Sequence, residues 1–291
     1  MRSLLCVLAT IILATGTLDS VSAQTVYNIH PRWSPDGTQL AYYRRVGDYA
    51  NLIVMDAKTG RETAITSAPS YDGNPSWSPD GTRILFTRAE AGMGGSWDVW
   101  TINADGSAAL RLMESPEREM HPSWSPNGPR ITFIRSIADG TEVFVADADG
   151  SNVRQLTTTE AREFHAKWSS DGRFILADSS TDGSSSIVKI DAETGETLRL
   201  SAGEGRQPVA GPAGAVAFSR DSDIWVRVAD GRERRVTTTP EVREGGLTWA
   251  PDGRLAFHAE MDGAYAIYML EADGTGIHRL SLPEAEAPAD C

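Results

Sequence analysis

His30-Pro31-Arg32-Trp33-Ser34-Pro35-Asp36-Gly37 is a phrase this chain repeats. It returns as Asn-Pro-Ser-Trp-Ser-Pro-Asp-Gly at 74–81, His-Pro-Ser-Trp-Ser-Pro-Asn-Gly at 121–128 and His-Ala-Lys-Trp-Ser-Ser-Asp-Gly at 165–172. A worn copy, Gln-Pro-Val-Ala-Gly-Pro-Ala-Gly, stands at 207–214, and Gly-Leu-Thr-Trp-Ala-Pro-Asp-Gly ends the series at 246–253. From Trp33 the steps to Trp77, Trp124 and Trp168 are 44, 47 and 44 residues; those to Ala210 and Trp249 are 42 and 39.

Around each phrase the residues read as four short strands. The first carries the Trp. Ser-Pro-Asp-Gly then suits a type I turn, with Ser at the first position, Pro presetting φ at the second and Gly at the end. An apolar strand follows: Leu40-Ala41-Tyr42, Ile84-Leu85-Phe86, Ile131-Thr132-Phe133, Phe174-Ile175-Leu176, Val216-Ala217-Phe218 and Leu255-Ala256-Phe257. The third strand has one fixed large residue, Ile53, Trp100, Phe144, Val188, Trp225 or Tyr268, and the fourth ends in pairs such as Ile65-Thr66 or Leu156-Thr157. No window keeps a helical period. A period in the low forties with four strands marks a propeller blade, and such sheets must stack to bury both faces. The expected fold is therefore all-β, a six-bladed β-propeller of four-stranded blades, with repeats starting near 30, 74, 121, 165, 207 and 246. The segment Thr25 to Ile29 is a candidate extra strand for the last blade.

The first residues read as a signal peptide over 1–23. Arg2 precedes an apolar run from Leu4 to Ala14, and Val21-Ser22-Ala23 gives the small-residue pattern for cleavage after Ala23. Cys6 lies inside that run, too early for a lipoprotein site. No later stretch approaches the ~20 apolar residues of a membrane span. A periplasmic or secreted, monomeric protein is expected, with the propeller over 24–281 and a disordered acidic tail over 282–291. The net charge of −13 argues against a nucleic-acid partner. Beyond the leader only Cys291 remains, so no internal disulfide is available.

The repeats resemble the TolB-type β-propeller family, whose phrase is Pro-x-Trp-Ser-Pro-Asp-Gly followed by an Ile-Ala-Phe-like strand and a Leu-Thr ending. The resemblance implies a protein or peptide partner in the cell envelope, and an inner position for the Trp strand. TolB itself carries an α/β domain ahead of its propeller. Here the first repeat begins within ten residues of the predicted cleavage, so a propeller alone is expected.

The same repeat occurs in propellers fused to serine peptidases, which need a Gly-x-Ser-x-Gly elbow; Gly94-Gly95-Ser96-Trp97-Asp98 does not match it. The Asp-x-Asp-Gly turns lack the further oxygen ligands of a calcium loop and read as hairpins. Of the eight Trp, at least six are core by pattern; Trp97 borders a Gly-rich stretch, Ala89 to Ser96, a candidate contact loop.

The position just before Pro in each phrase is the variable one: His30, Asn74, His121, His165, Gln207 and Gly246. Symmetry sets these in a ring, and the inner Trp strand that the resemblance implies would place it near one mouth of the channel. Two residues earlier stand Asn28, Asp72, Glu119, Glu163, Gly205 and Glu244, and one step further out Arg118, Arg162 and Arg243. Three readings compete. The side chains bond neighbouring loop backbone and pair across blades. Or His30, Asp72, Asn74, Glu119, His121, Glu163, His165, Gln207 and Glu244 form a recognition surface for a partner. Or His30, His121, His165 and Gln207 hold a divalent metal, as His and Gln do in propeller-type oligogalacturonate lyases. The functional expectation is a binding module without a cofactor; the alternative is a metal-assisted lyase or hydrolase acting on an acidic sugar or small ester.

Overall fold

The computed structural model describes residues 25–280, apart from 68, 139, 240–241, 262–263 and 272–275. The leader, its cleavage site and the tail with Cys291 lie outside the described residues. Those described form an all-β protein, in which helical structure is confined to two 3-10 turns, Gly92–Gly94 and Pro212–Gly214. No helix among them is long and apolar enough to cross a membrane.

The strands fall in chain order into sets of four, each an antiparallel meander, as expected of a propeller. The inner strands are Val26–Trp33, Tyr71–Trp77, Glu119–Trp124, Arg162–Trp168, Arg206–Ala210 and Glu244–Trp249. Each touches the next in order, and Glu244–Trp249 touches Val26–Trp33. The segment proposed to complete the last set instead belongs to the first: Val26 to Ile29 pair with Val46 to Tyr43. A single parallel bridge, Tyr27 to Tyr265, links it to the last set, and Ala50 to Tyr71 is the same bridge one junction on. The ends therefore meet by the ordinary contact between neighbours, because every repeat already holds its four strands.

Local chemistry explains these elements. In the first turn the Gly37 amide donates to the Ser34 carbonyl at 2.9 Å, closing the type I geometry, and Gly37 sits at φ 71°. The Ser34 hydroxyl donates to the Asp36 carboxylate at 2.6 Å, and Ser78–Asp80 and Ser169–Asp171 repeat the bond at 2.6 Å. These hydroxyl and amide donors favour the ionised acid and hold Asp80 down to about 2. Asp105 and Asp149 likewise accept from Ser107 and Ser151 within their own turns, as the hairpin reading requires.

The outer strands are only two or three residues long, so the third strand runs past its partner. The terminal hydroxyl covers the shortfall: Thr66, Thr157, Ser201 and Thr237 accept from the amides of Leu52, Val143, Ile187 and Ile224 at 2.8–3.0 Å. That is the physical content of the Leu-Thr ending.

The core lies between sets. One cluster joins Ile134, Val145 and Leu156 of the third repeat to Trp168, Ile175, Val188 and Ile190 of the fourth. Pairing also corrects the fourth apolar triplet. Trp168 faces Ile175, as Trp33 faces Leu40, and Val188 faces Ala177, so the triplet is Ile175-Leu176-Ala177. The one-residue slip had hidden Asp178. The Gly-rich stretch after Ala89 is tied down rather than open. Met93 donates its amide to the Asp48 carbonyl at 3.2 Å, and Trp97 opens a strand and packs on Tyr71 at 5.0 Å between rings.

Candidate functional site

The ring position has one backbone conformation throughout. His30, Asn74, His121, His165, Gln207 and Gly246 all lie at positive φ, between 52° and 63°. Each sits where the pairing of the inner strand slips, as at Ile29/Arg32 and Gly73/Ser76. The Pro that follows in four repeats has no amide to lose from the ladder. A bulge of this kind turns a side chain out of the sheet face, here toward the axis. The left-handed region costs ordinary residues roughly 1–2 kcal/mol and is entered chiefly by Gly, Asn, Asp and His. Backbone conformation thus accounts for much of the ring's composition.

The imidazoles do not stay in their own repeats. His258, His30, His165 and His121 form a row across the axis, with ring centroids 5.1, 6.3 and 4.4 Å apart and planes 21–30° from parallel. His30 and His165 come from the first and fourth repeats and meet over the middle. Sequence reasoning missed His258, which enters from the second strand of the last repeat. Its place exists because the sixth ring residue is Gly246, where a Cβ would stand 2.4 Å from the His258 Nδ1. The available signal was a titratable residue directly after the apolar triplet, at the position that holds Tyr43 in the first repeat and Asp178 in the fourth.

Hydrogen bonds orient two of the rings. His30 donates its amide to the His258 Nδ1 at 3.2 Å, which places the His258 proton on Nε2. The Asp178 carboxylate accepts from the His165 Nδ1 at 2.8 Å and from the Gln207 amide at 3.1 Å. The Gln207 Oε1 accepts from the Gly246 amide at 2.6 Å, so this side chain bonds the neighbouring backbone.

Stacking explains why the row is a poor chelate. Ring nitrogens carry their lone pairs in the ring plane, and near-parallel rings aim them past one another. Among the described residues no three His, Cys, Asp or Glu side chains are placed to hold a metal ion.

The row retains some contact with channel water but is walled in by protein. Burial, then the neighbouring charges of Arg32 and Lys167 among others, pushes the His258 imidazole down to about 3. Burial, then the neighbouring imidazoles and cations, also hold His30 and His121 well below the usual range. The unfolded chain takes up a proton near pH 6.5 while folded His258 does not, so stability falls as pH drops from about 6.5 toward 3. Between pH 6.5 and 5 this one residue is expected to remove roughly 1.5 kcal/mol. His258→Gln should lose less stability over that interval by about that amount, read from urea midpoints at the two pH values. Identical acid limbs would show that His258 is already protonated in the fold.

The acidic residues two places earlier do not line the cavity beneath the imidazole row. Asp72, Glu119, Glu163 and Glu244 are buried, as is Asn28, and Glu163 and Glu244 reach across to the preceding repeat. The Arg88 Nε and Nη2 donate to Asp72 at 2.7 and 2.8 Å, Arg135 pairs with Glu119, and the Arg44 Nε donates to the Asn28 Oδ1 at 2.9 Å. Glu163 has no Arg opposite; it accepts from Thr159 and Ser179, and burial with Glu142 beside it pushes it up to about 7. Glu244 accepts from Thr237 and Thr239. The bulge separates the two rings: it re-aims the residue before Pro and leaves the one two places earlier facing the core. Arg118, Arg162 and Arg243 are exposed.

His30, Asn74, His121 and His165 therefore share one cavity of about 150 Å³, whose deeper wall includes Arg32, Ser76, Ser123 and Lys167. Gln207 and His258 border an adjoining groove with Arg206, Arg220 and Glu244.

A ring of four-stranded sheets carrying this phrase defines the class of propeller proteins. The family model described as "TolB beta propeller domain" matches residues 6–113 and 89–223. The chain belongs to that family. No curated protein matches it significantly. Among solved structures it is similar to TolB from Acinetobacter baumannii, at a TM-score of 0.67 and 16% identity, covering 86% of this chain and 62% of that one. It thus spans less than two thirds of that TolB. An oligogalacturonate lyase from Vibrio parahaemolyticus matches at a TM-score of 0.60 and 16% identity, covering 82% of this chain and 76% of that one. A structure of oligogalacturonate lyase in complex with manganese matches at 0.60 and 17%, covering 88% and 77%. Likeness at these identities shows the fold alone.

Proposed function

We propose that this chain is a six-bladed propeller of the cell envelope, exported by its leader, that binds a protein or peptide partner through the mouth formed by His30, Asn74, His121, His165 and Gln207. The observation that carries this reading is the shared left-handed ring, which turns a variable polar side chain toward the axis in five of the six repeats while the rest of the phrase is spent on turns and core. Membership of the TolB propeller family supports it. Crosslinking capture from an envelope extract tests it, comparing the wild type with a His121→Asn, His165→Asn double variant. Asn already occupies the ring at position 74, so the backbone is expected to keep its shape. A partner held by the wild type and lost by the variant is expected; equal capture by both would place the binding surface elsewhere.

The second reading is a metal-assisted lyase or hydrolase at the same mouth. It rests on the four imidazoles gathered there and on likeness to a manganese-bound lyase. Chelation requires the row to unstack. Elemental analysis with a thermal-shift screen of Mn, Zn and Ni decides: a response abolished by the double variant favours the enzyme, and no response removes it.

A further inference from the structure

Two residues beyond the ring position, each inner strand presents one more side chain: Arg32, Ser76, Ser123, Lys167, Val209 and Thr248. All but the last line the cavity below the histidine row. The two cations are three repeats apart, so they come from opposite sides of the axis. They belong to the same two repeats whose histidines meet above. On a chain of net charge −13 this is a local inversion of sign.

The ion pairs of the described residues include neither Arg32 nor Lys167. Asp178 is the carboxylate that acts favourably on Lys167, and it already accepts from His165 and Gln207. The Arg32 Nη1 donates to the carbonyls of Pro31, Gly246 and Leu247 at 2.6, 3.1 and 3.1 Å, which fixes the guanidinium. Its Nε–Nη2 edge has no partner among the described residues. Arg88 grips the Asp72 carboxylate by that same edge. The hydroxyls between the cations have protons to give. The Ser76 Oγ accepts from the Trp124 amide at 3.1 Å, leaving its O–H free to donate, and Ser123 lines the same wall. Two unpaired cations sharing a confined space are costly until a charge of opposite sign joins them. Burial and Arg32 accordingly hold the Lys167 ammonium well below its usual range.

We propose that the cavity beneath the histidine row binds one carboxylate group, gripped bidentately by Arg32 and from the opposite side by Lys167. The guanidinium edge matches a planar carboxylate, and about 150 Å³ admits a small acid or the carboxyl end of a longer molecule. The inference rests on the mouth being the working surface and gives that surface a ligand chemistry. The overall negative charge does not oppose it at close range, because exposed charges are screened beyond about 8 Å in physiological salt.

Acetate titrated into the full chain, with chloride at matched ionic strength as control, tests this by calorimetry and thermal shift. One site per chain is expected, with Tm rising about 3–6 °C at ten times Kd. Lys167→Met is expected to raise the Tm of the unliganded protein, since it removes an unpaired cation beside Arg32, and to weaken acetate binding about 10- to 100-fold. Lys167→Gln serves if the Met variant does not fold. A short peptide with a free C-terminus, set against its amide, separates the sources: preference for the acid assigns the group to a peptide end, and equal weak binding of both beside saturable acetate assigns it to a free acid. A rise matched by chloride, or binding retained in both Lys167 variants, would overturn the proposal. Partner capture by the double-variant assay is read separately, so failure here leaves that reading standing.

Discussion

Asp72→Ala is expected to destabilise the protein by about 3–5 kcal/mol, the usual result of leaving one member of a buried ion pair alone. Asp72 is fully buried and takes two bonds from Arg88, at 2.7 and 2.8 Å, and one from the Ser70 hydroxyl at 3.0 Å. The Arg88 guanidinium is also held over the Trp100 ring at 4.7 Å, so it cannot swing to solvent without giving up that contact. The truncated protein keeps a sheltered, unpaired cation. The double variant Asp72→Ala, Arg88→Met removes both charges and should recover much of the loss, since apolar replacements of buried pairs are often close to neutral. Urea unfolding of the three proteins decides. A single variant within 1 kcal/mol of wild type would show that water reaches Arg88.

Trp168→Ala should cost a similar amount, about 3–5 kcal/mol for a large aromatic deleted from a packed core. Its ring joins two repeats, touching a cluster that includes Ile134, Val145 and Leu156 on one side and Ile175, Val188 and Ile190 on the other. The cavity left behind cannot collapse readily, because both walls are hydrogen-bonded sheets. Arg130 lies over the ring at 5.1 Å and loses its platform as well. Leu198→Ala, on an exposed outer strand, is the control and should stay within about 0.5 kcal/mol. Equal midpoints for Trp168→Ala and the control would mean that neighbouring sets pack independently of the repeat Trp.

The architecture was legible because its determinants are local. Ser, Pro, Asp and Gly act within four residues of each other, as the Ser34–Asp36 bond shows. Spacing then places the Trp residues at equivalent points. The ring before Pro was legible for the same reason, since repetition alone gives equivalent sites. The acidic ring was misjudged because regular strand alternation sets Asp72 and Asn74 on one face, and only the bulge at Asn74 separates them. Asp178 was hidden by the one-residue slip in its strand, and His258 was overlooked because it acts far along the chain: its Nδ1 meets the amide of His30, 228 positions away.

By itself the sequence determined the period, the turns, the strand order and the family, all of which follow from short-range stereochemistry and burial. The tertiary structure decided which polar side chains reach the axis, which are buried with an Arg, and that Arg32 and Lys167 face one cavity with no ion-pair partner among the described residues. Those outcomes depend on a left-handed residue in each inner strand and on ring closure, which bring together groups that nothing in the linear order connects.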